Sequence, residues 1–427
     1  MKTFDEILPE IKRALRSSAV DINKINKIII NRDLYGKIRF VADETVSEEH
    51  KKVLYHLIQN ISNNLGNERV PHAINNILYE SSIDSIMKNS SYFSLSEFPN
   101  VFIVDRMLNE SNWSKFTPKK TSTNRIVFYS IKGGVGRSTA LATTAWSLAE
   151  EGKKILVLDM DMESPGITSS LLSAEKAPMF GIVDWLLEDL LDNGDTVKEN
   201  IISLCDLSRN GEIFVVPSHG KNPGEYISKI NRIWMPKISS TYEHEFWFTR
   251  IERLISQLEN IYKPDVVLID SRAGIDEISS ACITSLGAET ILLFSIDSDQ
   301  TWTGYNILFD HWLKNDMIKV IRDRLQIVGA LIPDHNMREE YINGLIESSW
   351  DLLTNKMYDR IQSDNHDTNL YTYDIHDMEA PHYPRMVRWN RGFEALANMH
   401  QHKLIKSNVD DIFGDLIDYI RGILSYE

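Results

Sequence analysis

One stretch limits the fold more than any other: the turn Ile131-Lys132-Gly133-Gly134-Val135-Gly136-Arg137-Ser138-Thr139. It lies between a short apolar run, RIVFYS at 125–130, and an Ala/Leu-rich segment that reads as a helix. Glycines let successive backbone N–H groups converge as an anion nest, and the helix start adds the positive end of its dipole. Ser138 is placed to ligate Mg²⁺, and Thr139 to hydrogen-bond an inner phosphate. Lys132, Gly133, Gly134, Val135, Gly136, Arg137, Ser138 and Thr139 are therefore the expected polyphosphate site. The plainer alternative is a turn that only joins strand to helix.

Downstream, short apolar runs alternate with helical intervals. The runs are 154–159 (KILVLD), 212–217 (EIFVVP), 265–270 (DVVLID), 290–295 (TILLFS) and 326–331 (QIVGAL), with helical spacing at 138–151 and 248–262. Near-continuous apolar strands of this kind suit a parallel sheet covered on both faces. The expectation is an α/β, doubly wound, mostly parallel sheet over residues 125–427, with ligands outside the strands' carboxyl ends. Upstream, residues 1–110 read as a smaller α+β domain: helices at 4–15 and 46–65, strands at 27–30, 37–41 and 101–104. Residues 111–124, rich in Ser, Thr, Lys and Asn, read as the linker.

Composition narrows the class. Apolar residues are 42% and charged residues 25%, so the chain has enough to bury for a globular fold. With 61 acidic against 46 basic residues, the formal charge is −15. That disfavours sequence-independent nucleic-acid binding, although a local basic face is compatible with it. Two cysteines, Cys205 and Cys282, have no ligand-like spacing, which suits a reducing, cytoplasmic compartment. No stretch approaches the roughly 20 apolar residues of a membrane span, so no membrane partner is expected.

The loop departs from the general GxxxxGK[ST] pattern. Ile131 stands at the first glycine, Lys132 precedes the glycine pair, and Arg137 replaces the loop lysine with a planar fork of donors. KGGVGRST, with its early lysine, resembles the deviant Walker A motif of the ParA/MinD family of P-loop ATPases. Asp159-Met160-Asp161-Met162-Glu163-Ser164-Pro165-Gly166 is similar to that family's first switch, and DVVLIDSRAG at 265–274 to its Walker B strand and second switch. The resemblance covers roughly residues 125–335. It implies ATP and Mg²⁺ as ligands, and an ATP-bound homodimer, or a higher homo-oligomer, in which Lys132 reaches the partner's phosphates. It further implies that Asp161 orients the attacking water near the metal, that Asp270 holds Mg²⁺ with Ser138, and that the Gly274 N–H senses the γ-phosphate. A capping role is the alternative for Asp159 and Asp161. Arg272 fills a slot often small or apolar in the family, and an ion pair is as good a reading as function. The residues after the sixth strand, Ile332-Pro333-Asp334-His335-Asn336, stand where the family holds the base, without its Asn-Arg pair; Pro333 is the nucleotide-binding candidate there.

Two long connections, 171–210 and 221–247, read as a packed helical cap rather than a partner surface. Residues 374–389 have no regular period and could close over a nucleotide. The stripe Val409, Ile412, Phe413, Leu416, Ile417 and Ile420 is flanked by Asp410, Asp411, Asp415 and Asp418, which favours packing on the domain over an anionic membrane. The leading reading is an ATP-binding, ATP-hydrolysing switch acting on a protein partner or effector. KGGVGRST with DSRAG also resembles ParA-like ATPases of bacterial defence islands, which implies antiviral defence. The alternatives are a DNA- or plasmid-partition ATPase, disfavoured by the charge, and a nucleotide-sensing scaffold with low turnover, favoured by Arg137.

Overall fold

The computed structural model describes residues 3–71, 77–88, 90–107, 113–117, 123–238, 244–334, 337–359, 370–390, 399 and 404–425. Contacts divide the chain into two units, Met1–Glu110 and Ser111–Glu427. The whole stretch read as a linker, 111–124, falls at the start of the second unit, and 111–112 and 118–122 lie outside the described residues.

In the first unit, strands β1 (Ile28–Arg32), β2 (Ile38–Asp43), β3 (Ile77–Glu80), β4 (Ser91–Leu95) and β5 (Phe98–Asp105) form one sheet in the order β3-β2-β1-β5-β4. β1 runs antiparallel to β2 and parallel to β5. Residues two apart on a strand share a face, and the burial follows that period. Ile28 and Ile30 pack with Phe40 under the helices Ile7–Ser17 and Glu48–Leu65, whereas Ile29 meets Val41, Val104 and Ile83 on the other face. The expected helices and strands are present here; β3 and β4 were not foreseen.

The second unit is built on eight strands: β6 (Asn124–Ser130), β7 (Lys154–Asp159), β8 (Ser203–Cys205), β9 (Glu212–Val216), β12 (Val266–Ala273), β13 (Thr290–Ser295), β14 (Leu325–Ile332) and β15 (Arg385–Arg388). Their order is β15-β14-β13-β6-β12-β7-β9-β8, and a separate two-stranded ribbon pairs β10 (Lys237–Ile238) with β11 (His244–Glu245). Every pairing in the large sheet is parallel except β8 with β9 at one edge. This is the doubly wound, mostly parallel sheet that the sequence leads one to expect. All seven residues of β6 are buried, as befits a central strand covered on both faces.

Chain order places the site. β6 lies between β12 and β13, and β7 lies beyond β12, so the chain leaves β6 and returns one strand away. The carboxyl ends of β6, β12 and β7 are thereby neighbours at a switch point, where open α/β sheets hold ligands. The helix Arg137–Glu150 after β6 is buried over most of its surface, between the sheet and the last helix, Lys406–Ser425. That last helix turns Val409, Ile412, Phe413, Leu416, Ile417 and Ile420 inward, the packing role expected of it. The connection 171–210 also packs: Ile182, Val183, Trp185 and Leu186 join the core. In 221–247, Trp247 is fully buried and Trp234 half-buried, while Tyr242 lies outside the described residues. Among the described residues, no helix is long and apolar enough to cross a membrane.

Candidate phosphate-binding site

The loop after β6 turns with positive φ at Gly134 (75°) and Gly136 (78°), a region that costs other residues free energy. A β-carbon at Gly133 or Gly134 would meet nothing within 4 Å, so both glycines border open space. That space is a cavity of about 550 Å³, lined by residues 133–139 from the loop and helix start, by Asp161, Glu163 and Ser164 after β7, and by Arg272 and Ala273 on β12. The three sequence motifs thus meet in one concavity. Ile131, in place of the family glycine, packs on the helix Asp299–Lys314: a β-carbon on Gly304 would lie 2.3 Å from Ile131 Cγ2. Gly304→Ala should gain up to about 1 kcal/mol of helix propensity yet lose roughly 1–3 kcal/mol by overpacking a stiff branched side chain. A lower thermal midpoint is expected, and an unchanged or higher one would show that the loop gives way freely.

Arg137 lines the cavity, and each of its nitrogens also meets a protein oxygen. Its Nε donates to Asp270 Oδ1 at 2.8 Å, Nη1 to Ser130 Oγ at 3.3 Å, and Nη2 reaches Asp161 Oδ2 at 3.5 Å. Burial works against its charge, but the attraction and hydrogen bond of Asp270 outweigh that and raise its pKa. Arg137, at the loop-lysine position, is thus paired with carboxylates from β12 and from the loop after β7. In this structure its guanidinium neutralises the two carboxylates expected near the metal.

Asp270 is 1% exposed, and its Oδ2 has no hydrogen-bond partner among the described residues. Asp270 does not itself line the cavity, but a buried, half-satisfied carboxylate one side chain behind it fits a cation with polyphosphate ligands. No group of three or more His, Cys, Asp or Glu among the described residues could hold a metal ion by itself. Mg²⁺ commonly takes one or two protein oxygens and completes its shell with water and phosphate, so Ser138 and Asp270 fit it. Asp161 lines the cavity and also accepts the Ser164 N–H at 3.1 Å, the local bond that the capping alternative expects. Burial raises its pKa, and Arg137 opposes the shift.

Asp159 is fully buried, bonded through Oδ2 to Thr168 Oγ1 at 2.9 Å, with Oδ1 unpartnered among the described residues. Burial first, and then the charge of Asp270, push it up to about 7. It supports the site from beneath and does not line the cavity. Gly274, with φ of 96°, gives its N–H to Ser130 O at 2.9 Å, so that amide is engaged here rather than turned to a ligand. Lys132 is half-buried and makes no ion pair with another described residue.

A second cavity of about 280 Å³ shares Gly134, Val135, Gly136 and Thr139 with the first, and is closed by Leu331, Val387, Arg388, Trp389, Asn390 and Phe413. Sequence reading had put the base-holding residues at 332–336. Pro333 lines neither cavity, and His335 and Asn336 lie outside the described residues. Leu331 lines the second cavity, held at φ of 55° where β14 slips register against β15. A bulky residue in the left-handed region marks strain that the surroundings impose, and a bulge re-aims its side chain. Of 374–389, expected to close over a nucleotide, only the end reaches the loop, as strand β15 and the Trp389 N–H bond to Ile332 O at 2.8 Å.

Residues 123–327 match a family model described as an AAA domain. The nitrogenase iron protein 2 of Methanothermococcus thermolithotrophicus is 32% identical over 105 residues, 23% of this chain and 35% of that protein. The septum site-determining protein MinD of Buchnera aphidicola subsp. Schizaphis graminum (strain Sg) is 23% identical over 154 residues, 36% of this chain and 46% of that one. The chain therefore spans less than half the length of these curated relatives. Among solved structures, the cell division ATPase MinD of Pyrococcus furiosus is similar with a TM-score of 0.44 and 18% identity, over 70% of this chain and 99% of that one. The cobyrinic acid a,c-diamide synthase of Mycobacterium smegmatis, with bound ATP analog and magnesium, gives 0.36 and 17%, over 53% and 78%.

Proposed function

We propose that the chain is an Mg-ATP-dependent switch of the ParA/MinD type. The observation that carries this reading is the open glycine turn at 133–134 on a cavity whose lining Arg137 holds the buried, half-satisfied Asp270. In this proposal the loop amides and Thr139 bind the phosphates, and the second cavity receives the nucleoside between Leu331 and Trp389. Ser138 and Asp270 hold the metal, which supplies neutralisation of phosphate charge when bound. Asp161 orients water. Lys132, unengaged by other described side chains, completes the site of a second copy as an arginine finger would. A protein effector then reads the dimer state, with antiviral defence as the setting that the motif resemblance supports.

The test is molar mass in solution with ATP and with ADP, for wild type and Lys132→Ala. Wild type should double in mass with Mg-ATP and not with ADP, and the variant should stay monomeric. No change in wild type with ATP would remove the dimer mechanism.

One observation favours a second reading, a sensor with little turnover: Arg137, at the loop-lysine position, is paired with Asp270 and Asp161. Phosphate release well above an Asp161→Ala control would eliminate that reading.

A further inference from the structure

Arg272 has no assigned task in the switch reading, yet the fold takes trouble to place it. β12 pairs with β6 in register up to Asp270 and resumes only at Ala273, so residues 271 and 272 form an irregularity in the strand. Bulges beside sites re-aim side chains. Here the result is that Arg272 lines the phosphate cavity. Its Nη2 lies 2.6 Å from Glu163 Oε2, in the loop after β7, and its Nη1 3.4 Å from Asp276 Oδ2, the residue that caps the next helix.

Only two cations line that cavity among the described residues, Arg137 and Arg272. Arg137 is buried and held by Asp270 and Asp161. Arg272 is held closely by Glu163, itself 51% exposed, and only at 3.4 Å by Asp276. An ion pair so open to water contributes at most about 1 kcal/mol. A terminal phosphate offers more charge and three acceptor oxygens, which a guanidinium fork matches better than one carboxylate. Glu163 is therefore a placeholder that a phosphate can displace.

We infer that Arg272 is a terminal-phosphate sensor: it leaves Glu163 for the last phosphate of a nucleoside triphosphate and so sets the preference for triphosphate over diphosphate. This rests on the nucleotide-binding reading above. Release of Glu163 would also free the loop beside it, where Tyr226 Oη, on the connection 221–247, bonds Met162 O at 2.8 Å. The bound phosphate is thus linked to a segment outside the cavity.

Titration calorimetry of full-length wild type, Arg272→Ala and Glu163→Gln with Mg-ATP and Mg-ADP tests the inference. Arg272→Ala should cut the ratio of ATP to ADP affinity about tenfold. Glu163→Gln, which removes the competing charge, should raise ATP affinity two- to fivefold and leave that for ADP within twofold. A ratio unmoved by Arg272→Ala, or ATP affinity unchanged or lowered in Glu163→Gln, overturns the sensor while wild-type binding keeps the nucleotide reading intact. Wild type that binds neither nucleotide overturns both.

Discussion

Arg137→Met is expected to cost the second unit roughly 3–5 kcal/mol in the absence of divalent metal, the penalty for stranding a buried carboxylate. That corresponds to a fall in thermal midpoint of roughly 10 °C for a unit of this size. The reason is the company Arg137 keeps. Asp270 is 1% exposed and Asp159 fully buried, and Arg137 supplies the cationic donor to Asp270 Oδ1. Methionine fills much of the volume, so packing loss is small beside the uncompensated charge. Three comparisons separate charge from shape. Arg137→Lys keeps the charge but loses the fork, and should fall between wild type and the methionine variant. Arg137→Met with Asp270→Asn removes both partners and should recover most of the loss, because absent pairs cost less than broken ones. Millimolar Mg²⁺ should stabilise Arg137→Met more than wild type, since the freed carboxylates then welcome a cation. If the methionine variant melts within 2 °C of wild type without metal, the guanidinium does not neutralise this site.

How the site was legible follows from which interactions are local. β7 and β13 could be bounded to the residue, because KILVLD and TILLFS are continuous apolar runs ended by turn chemistry. The phosphate loop was equally plain, since its glycines and flanking elements are contiguous. β15 was not: RMVR offers one apolar pair between arginines, and its strand character comes from pairing with β14. The second cavity is not visible in the sequence for a related reason. It joins Leu331 to Val387–Asn390, far along the chain, and no pattern at 331 announces a left-handed backbone in a leucine. Arg137 is visible in the sequence as a cation in the loop, but its partners are not. Which carboxylate a four-bond side chain finds is a property of the folded neighbours, and those neighbours arrive from β7 and β12. The antiparallel edge strand β8 escaped because three residues carry too little period to detect.

Gly134→Val should lower nucleotide affinity at least about a hundredfold while costing the fold only about 1–2 kcal/mol. The two effects have separate origins. Gly134 sits at φ of 75°, where a β-branched residue is strained, but its β-carbon would collide with nothing within 4 Å. The room it would occupy is the cavity itself. A valine there both fills the place of a phosphate and pulls the turn away from the conformation that aims its amides inward. Loss of two amide bonds to a charged ligand, at about 1.5–3 kcal/mol each, is enough for the stated drop. Gly414→Ala on the last helix is the matched control: it too has open space, without positive φ, and should gain up to about 1 kcal/mol with binding untouched. Calorimetry with Mg-ATP and Mg-ADP, beside melting curves for the three proteins, gives both readouts. Should Gly134→Val hold either nucleotide within fivefold of wild type, phosphates do not lie on this loop, and the roles given to Ser138, Thr139 and Arg272 lose their ligand.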